Sequence, residues 1–337
     1  MVTIAKGYLG IDNGTHGLSV IFTDEDLNVL ATGEGSYGFV DGLESGCFEQ
    51  RCEDWDNALS TAMESVHQQM APAKIQVLAI GISGQMHGEV LINESGQPIK
   101  SVRLWCDARN EEEGNELKEL LQTKVPKRAT AARFLWTCRN QPDAATATAT
   151  AHITTPAGWL AFRLTGEFNL GIGDAAGMFP INQSTKDYDK EKLAKYDELV
   201  NNASVPSLGS ILPNVRKAGE NAGSLTESAA TQLGLSGCAG IQVAAAKGDQ
   251  VAALAGSLIG QAGMVSCSFG TSVCANAVGD RAFHGVSRAV DQFCAADGKP
   301  IKHGLAAERD NVLEYNRRVL VRWHVVGRYQ GRLCYCH

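Results

Sequence analysis

The 337-residue chain has no apolar run near the roughly 20 residues that a helix needs to cross a bilayer, so a membrane partner is not expected. Met1 to Lys6 is not a basic segment leading into a long apolar core, and no secretory leader is expected. The chain also lacks a disulfide framework: its ten cysteines are scattered, from Cys47 and Cys52 to Cys334 and Cys336. Cys334 and Cys336 have no second pair nearby, which does not make a zinc site. A reduced, cytoplasmic protein is the simplest expectation. Positive charge is not in excess either. The formal net charge of −7 argues against nucleic acid as partner, although a local site can oppose the global charge and hold an anion.

What is present can fold. A hydrophobic fraction of 44% with 20% charged residues can bury a core, and the length suits two domains. Tyr8 to Asp12, Leu18 to Thr23 and Leu27 to Ala31 read as three strands joined by tight turns, Asn13-Gly14-Thr15-His16-Gly17 being the first turn. Trp55, Leu59, Ala62, Val66 and Met70 recur three or four apart and predict a helix over 53–70. Ile75 to Ile82 is nearly continuous in apolar residues, as in a strand buried on both faces and added parallel to the meander. Short strands are expected at Val90 to Asn93 and Val102 to Trp105, and helices at Asn110 to Leu121, Pro156 to Leu164 and Glu227 to Leu235. Ile241 to Ala245 reads as a strand, Asp249 to Ile259 as a helix and Met264 to Ser268 as a strand. The order strand, strand, strand, helix, strand opens a ribonuclease-H-like α/β unit. From Gly304 onward arginines crowd the chain, and Tyr329 to His337 has no clear period.

Five segments carry candidate chemistry. Asp12-Asn13-Gly14-Thr15 places an acid at a strand end beside a turn; its backbone N–H groups suit phosphate and its carboxylate suits magnesium. An ordinary turn is the alternative. Met86 and His87 follow a buried strand, a good position for a ligand contact, with a satisfied core histidine as the plainer reading. Trp105, Asp107 and Arg109 place an aromatic beside charged hydrogen-bonding groups, which suits a sugar; a core Trp and an Asp–Arg ion pair is the alternative. Asp249 and Gln250 stand between a strand and a helix. Asp249 is the best general-base candidate and Gln250 can orient a hydroxyl, while a plain helix N-cap is the alternative for Asp249. Ser268-Phe269-Gly270-Thr271-Ser272 is a second phosphate-type turn.

Together, in order and spacing, these segments resemble the FGGY carbohydrate kinases, most of all the xylulose kinases among them, over about residues 7 to 294. Gly81-Ile82-Ser83-Gly84-Gln85-Met86-His87-Gly88 is the strongest part. Glu49-Gln50 before Asp54-Trp55, Leu104 to Arg109, Leu164 to Glu167 and Asp174 to Gly177 add to it. The resemblance implies the actin-like, ribonuclease-H-like ATPase fold, with residues 1–255 as a complete sugar-binding domain. It makes 256–303 a partial nucleotide-binding domain, and 304–337 an atypical basic tail. It implies transfer from ATP to a terminal hydroxyl of a ketopentose such as D-xylulose, with Asp249 as base. Met86, His87, Trp105, Asp107, Asp249 and Gln250 would line the sugar site. Asp12 would approach Mg2+, and Gly14, Thr15, Gly270 and Thr271 would face phosphates. Gln250 replaces the Asn usual in xylulose kinases, Ser19 a frequent Lys or Arg, Lys247 a small residue and Gly158 an Asp. The adenine-binding glycine segment has no counterpart after residue 300. A truncated, sugar-binding remnant with weak ATP binding is therefore the second expectation, and its exposed core edge would favour a homodimer.

Overall fold

The computed structural model describes residues 4–123, 125–269, 273–281, 290–306, 325–329 and 332–336. Strands β1 (Ile4–Asn13), β2 (Gly17–Asp24) and β3 (Val29–Ser36) form the expected antiparallel meander. Strand β4 (Glu49–Gln50) leads into helix α1 (Cys52–Met70), and strand β5 (Lys74–Gly84) then pairs parallel with β1. Gln242–Val243 and Lys247–Gly248 pair parallel with β5 on its far side. The sheet is mixed, with the strand order of a ribonuclease-H-like unit, and every parallel pairing involves β5.

Helix α1 covers one face. Trp55, Ala58, Leu59, Ala62, Met63 and Val66 are buried at the three-and-four spacing that puts them on one stripe. They meet Leu9, Ile11, Leu18, Val20 and Phe22, the alternate residues of β1 and β2. Strand β5 departs from the sequence expectation. It is buried on one face only: Ile75, Val77, Ile80 and Ile82 point inward while Gln76 and Gly81 are exposed. The apolar run looked continuous because Leu78 is an extra residue. The pairing steps from Gly7–Val77 to Tyr8–Ala79, and this bulge lets residues three apart face the same core.

A layer of short elements packs over the carboxyl ends of β1 and β5. It includes Val90–Ile92 paired with His152–Thr154, the helices Glu111–Leu121, Thr130–Asn140 and Pro156–Thr165, and the short helix Ile172–Met178. The Thr130–Asn140 helix is not among the helices expected from the sequence, and its Arg133 and Thr137 are buried. Asp249–Gly256 forms the helix that leads to a second, antiparallel sheet. Its strands are Val265–Phe269, Val273–Val278, Pro300–Ala306 and Val290–Cys294, in that spatial order. Val325–Tyr329 and Arg332–Cys336 pair as antiparallel strands, a correction to the reading of the tail as without a strand pattern. Val325, Val326 and Tyr329 on the first segment and Tyr335 on the second suit that pairing.

Candidate active site

The carboxyl ends of β1 and β5 and the start of the Asp249–Gly256 helix lie side by side, because Asn13 pairs with Gly84 and Gly84 with Gly248. Residues that follow these strands therefore emerge at one edge of the sheet, where open α/β sheets bind ligands.

The β1–β2 turn is braced from below. Asn13 is fully buried, and the Tyr37 hydroxyl lies 2.5 Å from its Oδ1 and 2.7 Å from the Gly14 carbonyl. Gln50 donates to the Thr15 carbonyl at 2.7 Å, Gln85 donates to the Gln50 Oε1 at 2.9 Å, and the Trp55 indole donates to the same oxygen at 3.1 Å. Trp105 donates its indole N–H to the Thr15 hydroxyl at 3.2 Å. The structure thus joins Trp105 to the turn that holds Gly14 and Thr15. Tyr37 was not singled out in the sequence. Its removal as Tyr37→Phe would leave the buried Asn13 Oδ1 without its donor, while the Gly14 carbonyl keeps the Gln85 amide at 3.2 Å, and about 1–2 kcal/mol of stability is expected to go. Urea titration checks this; an unchanged midpoint would show that the brace is idle.

Met86 and His87 follow β5. His87 has φ 67°, in the left-handed region that a residue with a Cβ enters at a cost of about 1 kcal/mol or more. The surroundings hold it there. Its ring Nδ1 is 2.9 Å from the Gly177 carbonyl, so Nδ1 carries the proton, and its own carbonyl accepts from the Arg133 Nε at 3.0 Å. Burial first, then the charge of Arg128, keeps the imidazole well below its ordinary pKa and neutral. Close approach is allowed by two glycines. A Cβ on Gly177 would meet the His87 ring at 2.9 Å, and one on Gly248 would meet the Met86 Cγ at 2.2 Å. Met86 thereby reaches the backbone immediately before Asp249, and its side chain packs with Leu254 of the Asp249–Gly256 helix and with Phe293 and Ile301 of the second sheet.

Asp249 is the first residue of its helix, and Gly248 holds the cap position, so the plain N-cap reading does not describe it. Its Oδ1 accepts from the Gln250 backbone N–H at 2.7 Å. The residue keeps solvent access, yet desolvation by the surrounding protein raises its carboxyl pKa, and the negative charge of Asp12 adds to the rise. Asp12 is exposed at the end of β1. No hydrogen-bond donor to its carboxylate is found among the described residues. Two carboxylates that repel across one space fit a divalent cation between or beside them, with water filling the remaining positions.

Asp107 is bound elsewhere. Its oxygens accept from the Arg109 guanidinium at 2.6 and 3.0 Å and from the Phe48 N–H at 2.9 Å. The ion-pair alternative is the one these bonds describe. Burial opposes its ionisation, but Arg109 and the Phe48 N–H outweigh this and hold the carboxyl below its ordinary value. Gly270 and Thr271 lie outside the described residues. A cavity of 420 Å3 adjoins the site, lined by residues such as Phe179, Gln183, Arg281, Phe293 and Lys302, but Met86, His87 and Asp249 are not part of its wall.

Sequence reasoning missed Arg133, Asp174, Asn276 and His303. Asp174 is fully buried, accepts from the Thr155 hydroxyl at 2.6 Å and is pushed up to about 7 by desolvation, despite that bond, with Asp249 adding to the rise. Its place beside Gly177 in a segment already singled out was the available signal.

The FGGY family of carbohydrate kinases, N-terminal domain, matches residues 7–256. The xylulose kinase of Escherichia coli K12 is 29% identical over 307 residues, covering 86% of this chain and 58% of that protein. Among solved structures, one titled a xyloylose kinase from Brucella ovis superposes with a TM-score of 0.77 at 25% identity, over 93% of this chain and 63% of that one. Plasmodium falciparum glycerol kinase with ADP superposes with a TM-score of 0.78 at 19% identity, over 95% and 65%. The chain thus spans about three-fifths of the length of these relatives, and among the described residues no helix is long and apolar enough to cross a membrane. The fold is the ribonuclease-H-like fold of the actin-like ATPases, with a partial second domain. With the family model matching residues 7–256, well over half of its length, the chain belongs to the FGGY family of carbohydrate kinases.

Proposed function

We propose that this chain supplies the sugar-binding part of an ATP-dependent kinase acting on a ketopentose such as D-xylulose, with Asp249 as the general base. The observation that carries the reading is the meeting of Met86, Gly248 and Asp249 at one strand edge, with Asp12 coupled electrostatically to Asp249.

In this reading Met86 offers an apolar contact to a sugar face, and His87 offers its unprotonated Nε2 as an acceptor for a hydroxyl. Gln250 orients the terminal hydroxyl, and Asp249 takes its proton as the oxygen becomes a nucleophile. A carboxyl raised above its ordinary value is a better proton acceptor than an exposed one, provided that it is still ionised at neutral pH. Asp12 would hold Mg2+, directly or through water, and the Gly14 and Thr15 backbone N–H groups would face phosphate oxygens. Bound MgATP supplies the phosphoryl group and the counter-charge for it. Gly270 and Thr271 are proposed for phosphate contact on their sequence alone. Asp107 and Arg109 serve the scaffold: they tie Phe48 and Glu49 to the loop that carries Trp105.

The test is calorimetry with D-xylulose on the 337-residue chain, followed by coupled ADP release on adding MgATP. Asp249→Asn is expected to keep sugar affinity within a few fold and to lower transfer by about 100-fold or more, because the base acts in the reacting state. Equal transfer by that variant would remove Asp249 as base. Absence of D-xylulose binding by the parent chain would remove the substrate assignment.

A further inference from the structure

Gln250 replaces the shorter side chain usual in xylulose kinases, and a Gln at a ligand site must be held. A free glutamine loses about 1.5–2 kcal/mol of rotamer freedom when it is fixed by a ligand alone. Here it is already fixed, by the second sheet. The Gln250 Oε1 lies 3.1 Å from the Asn276 Nδ2. The Asn276 Oδ1 lies 2.7 Å from the His303 Nδ1. Asn276 and His303 are directly opposed on neighbouring antiparallel strands, and both are buried.

The polarity of this chain of groups can be deduced from one end. The other terminus of the Gln250 carboxamide faces the Asp249 Oδ2 at 3.5 Å. That contact is long, but its sign is not in doubt when Asp249 is ionised: a carboxylate accepts only, so the terminus facing it is the amide nitrogen. The Gln250 oxygen then faces Asn276, which must donate its amide nitrogen. The Asn276 oxygen therefore faces His303, whose Nδ1 must carry a proton. The ring of Phe293 sits 5.5 Å from both the His303 and His87 rings, and it packs His303 in place.

We infer that Asn276 and His303 are positioning residues of the proposed sugar site: they fix the Gln250 carboxamide with its nitrogen toward Asp249, so that Gln250 meets a bound sugar as a hydrogen-bond donor. The inference rests on the sugar-site reading for its function, but not for its geometry. It gives the second sheet a part in recognition of the sugar.

Two measurements on the 337-residue chain decide it. Ring nitrogen shifts of His303, assigned by their loss in His303→Gln, are expected to show the proton on Nδ1. A proton on Nε2 alone overturns the inference, whatever the chain does with sugar. The second measurement is a double-mutant cycle read by D-xylulose affinity. Asn276→Asp keeps size but replaces the donor by an acceptor, which turns the Gln250 amide around; affinity is expected to fall about tenfold. In a Gln250→Ala background the same change should cost less than twofold. Equal losses in both backgrounds would show that Asn276 acts only on packing and would overturn the positioning role. If the parent chain binds no D-xylulose while Nδ1 is protonated, the sugar-site reading fails and takes the functional half of the inference with it, leaving the polarity established.

Discussion

Arg103→Leu is expected to lower the unfolding free energy by about 3–5 kcal/mol. Arg103 and Glu89 are almost wholly buried, at 1% and 0% exposure, and lie 2.9 Å apart. The guanidinium also donates to the Arg133 carbonyl and to the Thr137 hydroxyl, and it stacks 4.3 Å from the centre of the Trp136 ring. Burial alone would push the Glu89 carboxyl up; Arg103 and then Lys100 reverse this and hold it down at about 2. With Arg103 gone, Glu89 keeps Lys100 at 3.1 Å and Thr137 at 2.6 Å among the described residues, and a buried charge short of its main partner is costly. The loss should also reach the site. Arg103 holds the carbonyl of Arg133, and Arg133 in turn holds the carbonyl of His87 in its left-handed conformation. Urea unfolding followed by tryptophan emission measures the effect. A second variant, Arg103→Met with Glu89→Leu, should recover much of the loss, since an apolar pair of similar volume removes the stranded charge. A single variant that costs under 1 kcal/mol would show that the pair is not a structural keystone.

The parts of this structure that were legible in the sequence share one property: their signal is local. Trp55 to Val66 repeat at helical spacing, and the strand-to-loop junctions at Asp12, Met86 and Asp249 show where a strand edge presents its side chains. Other features depend on register between distant segments. Nothing near Asn276 indicates that it opposes His303 or reaches Gln250, 26 residues away. Glu89 and Arg103 look like solvated charges until Val102–Arg103 is paired with β4, which turns Arg103 inward. The bulge at Leu78 is of the same kind: an apolar residue added to an apolar run changes no pattern, yet decides which face of β5 enters the core. Asp107 shows the converse. Its neighbours allowed both a sugar contact and an ion pair, and the ion pair becomes visible only in the folded positions of Phe48 and Arg109.

Asp174→Asn is expected to change the pH dependence of stability strongly. In the folded chain Asp174 is fully buried; one of its oxygens accepts from the Thr155 hydroxyl, and Oδ1 has no partner among the described residues. Desolvation is the main reason that its carboxyl is carried from 3.8 to about 7, and Asp249 adds to it. The sign follows from proton counting. In the unfolded chain the group loses its proton from about pH 4 upward. The folded chain keeps that proton until about pH 7, so over this interval the folded state binds more protons and stability falls as pH rises. Below pH 4 both states are protonated and the contribution is fully present; above about pH 7 the loss is complete and constant. A rise of this size corresponds to about 4 kcal/mol. Asparagine keeps the acceptor for Thr155 and has no charge to bury. The stability of Asp174→Asn relative to the parent should therefore climb by about 4 kcal/mol between pH 4 and pH 8. Urea titrations at half-unit pH intervals would show the two curves separating across that interval. Parallel curves would mean that the buried carboxylate has a partner when ionised. Separation with a midpoint near neutrality would instead show that Asp174 keeps its proton up to that pH, leaving one negative charge fewer beside Asp249.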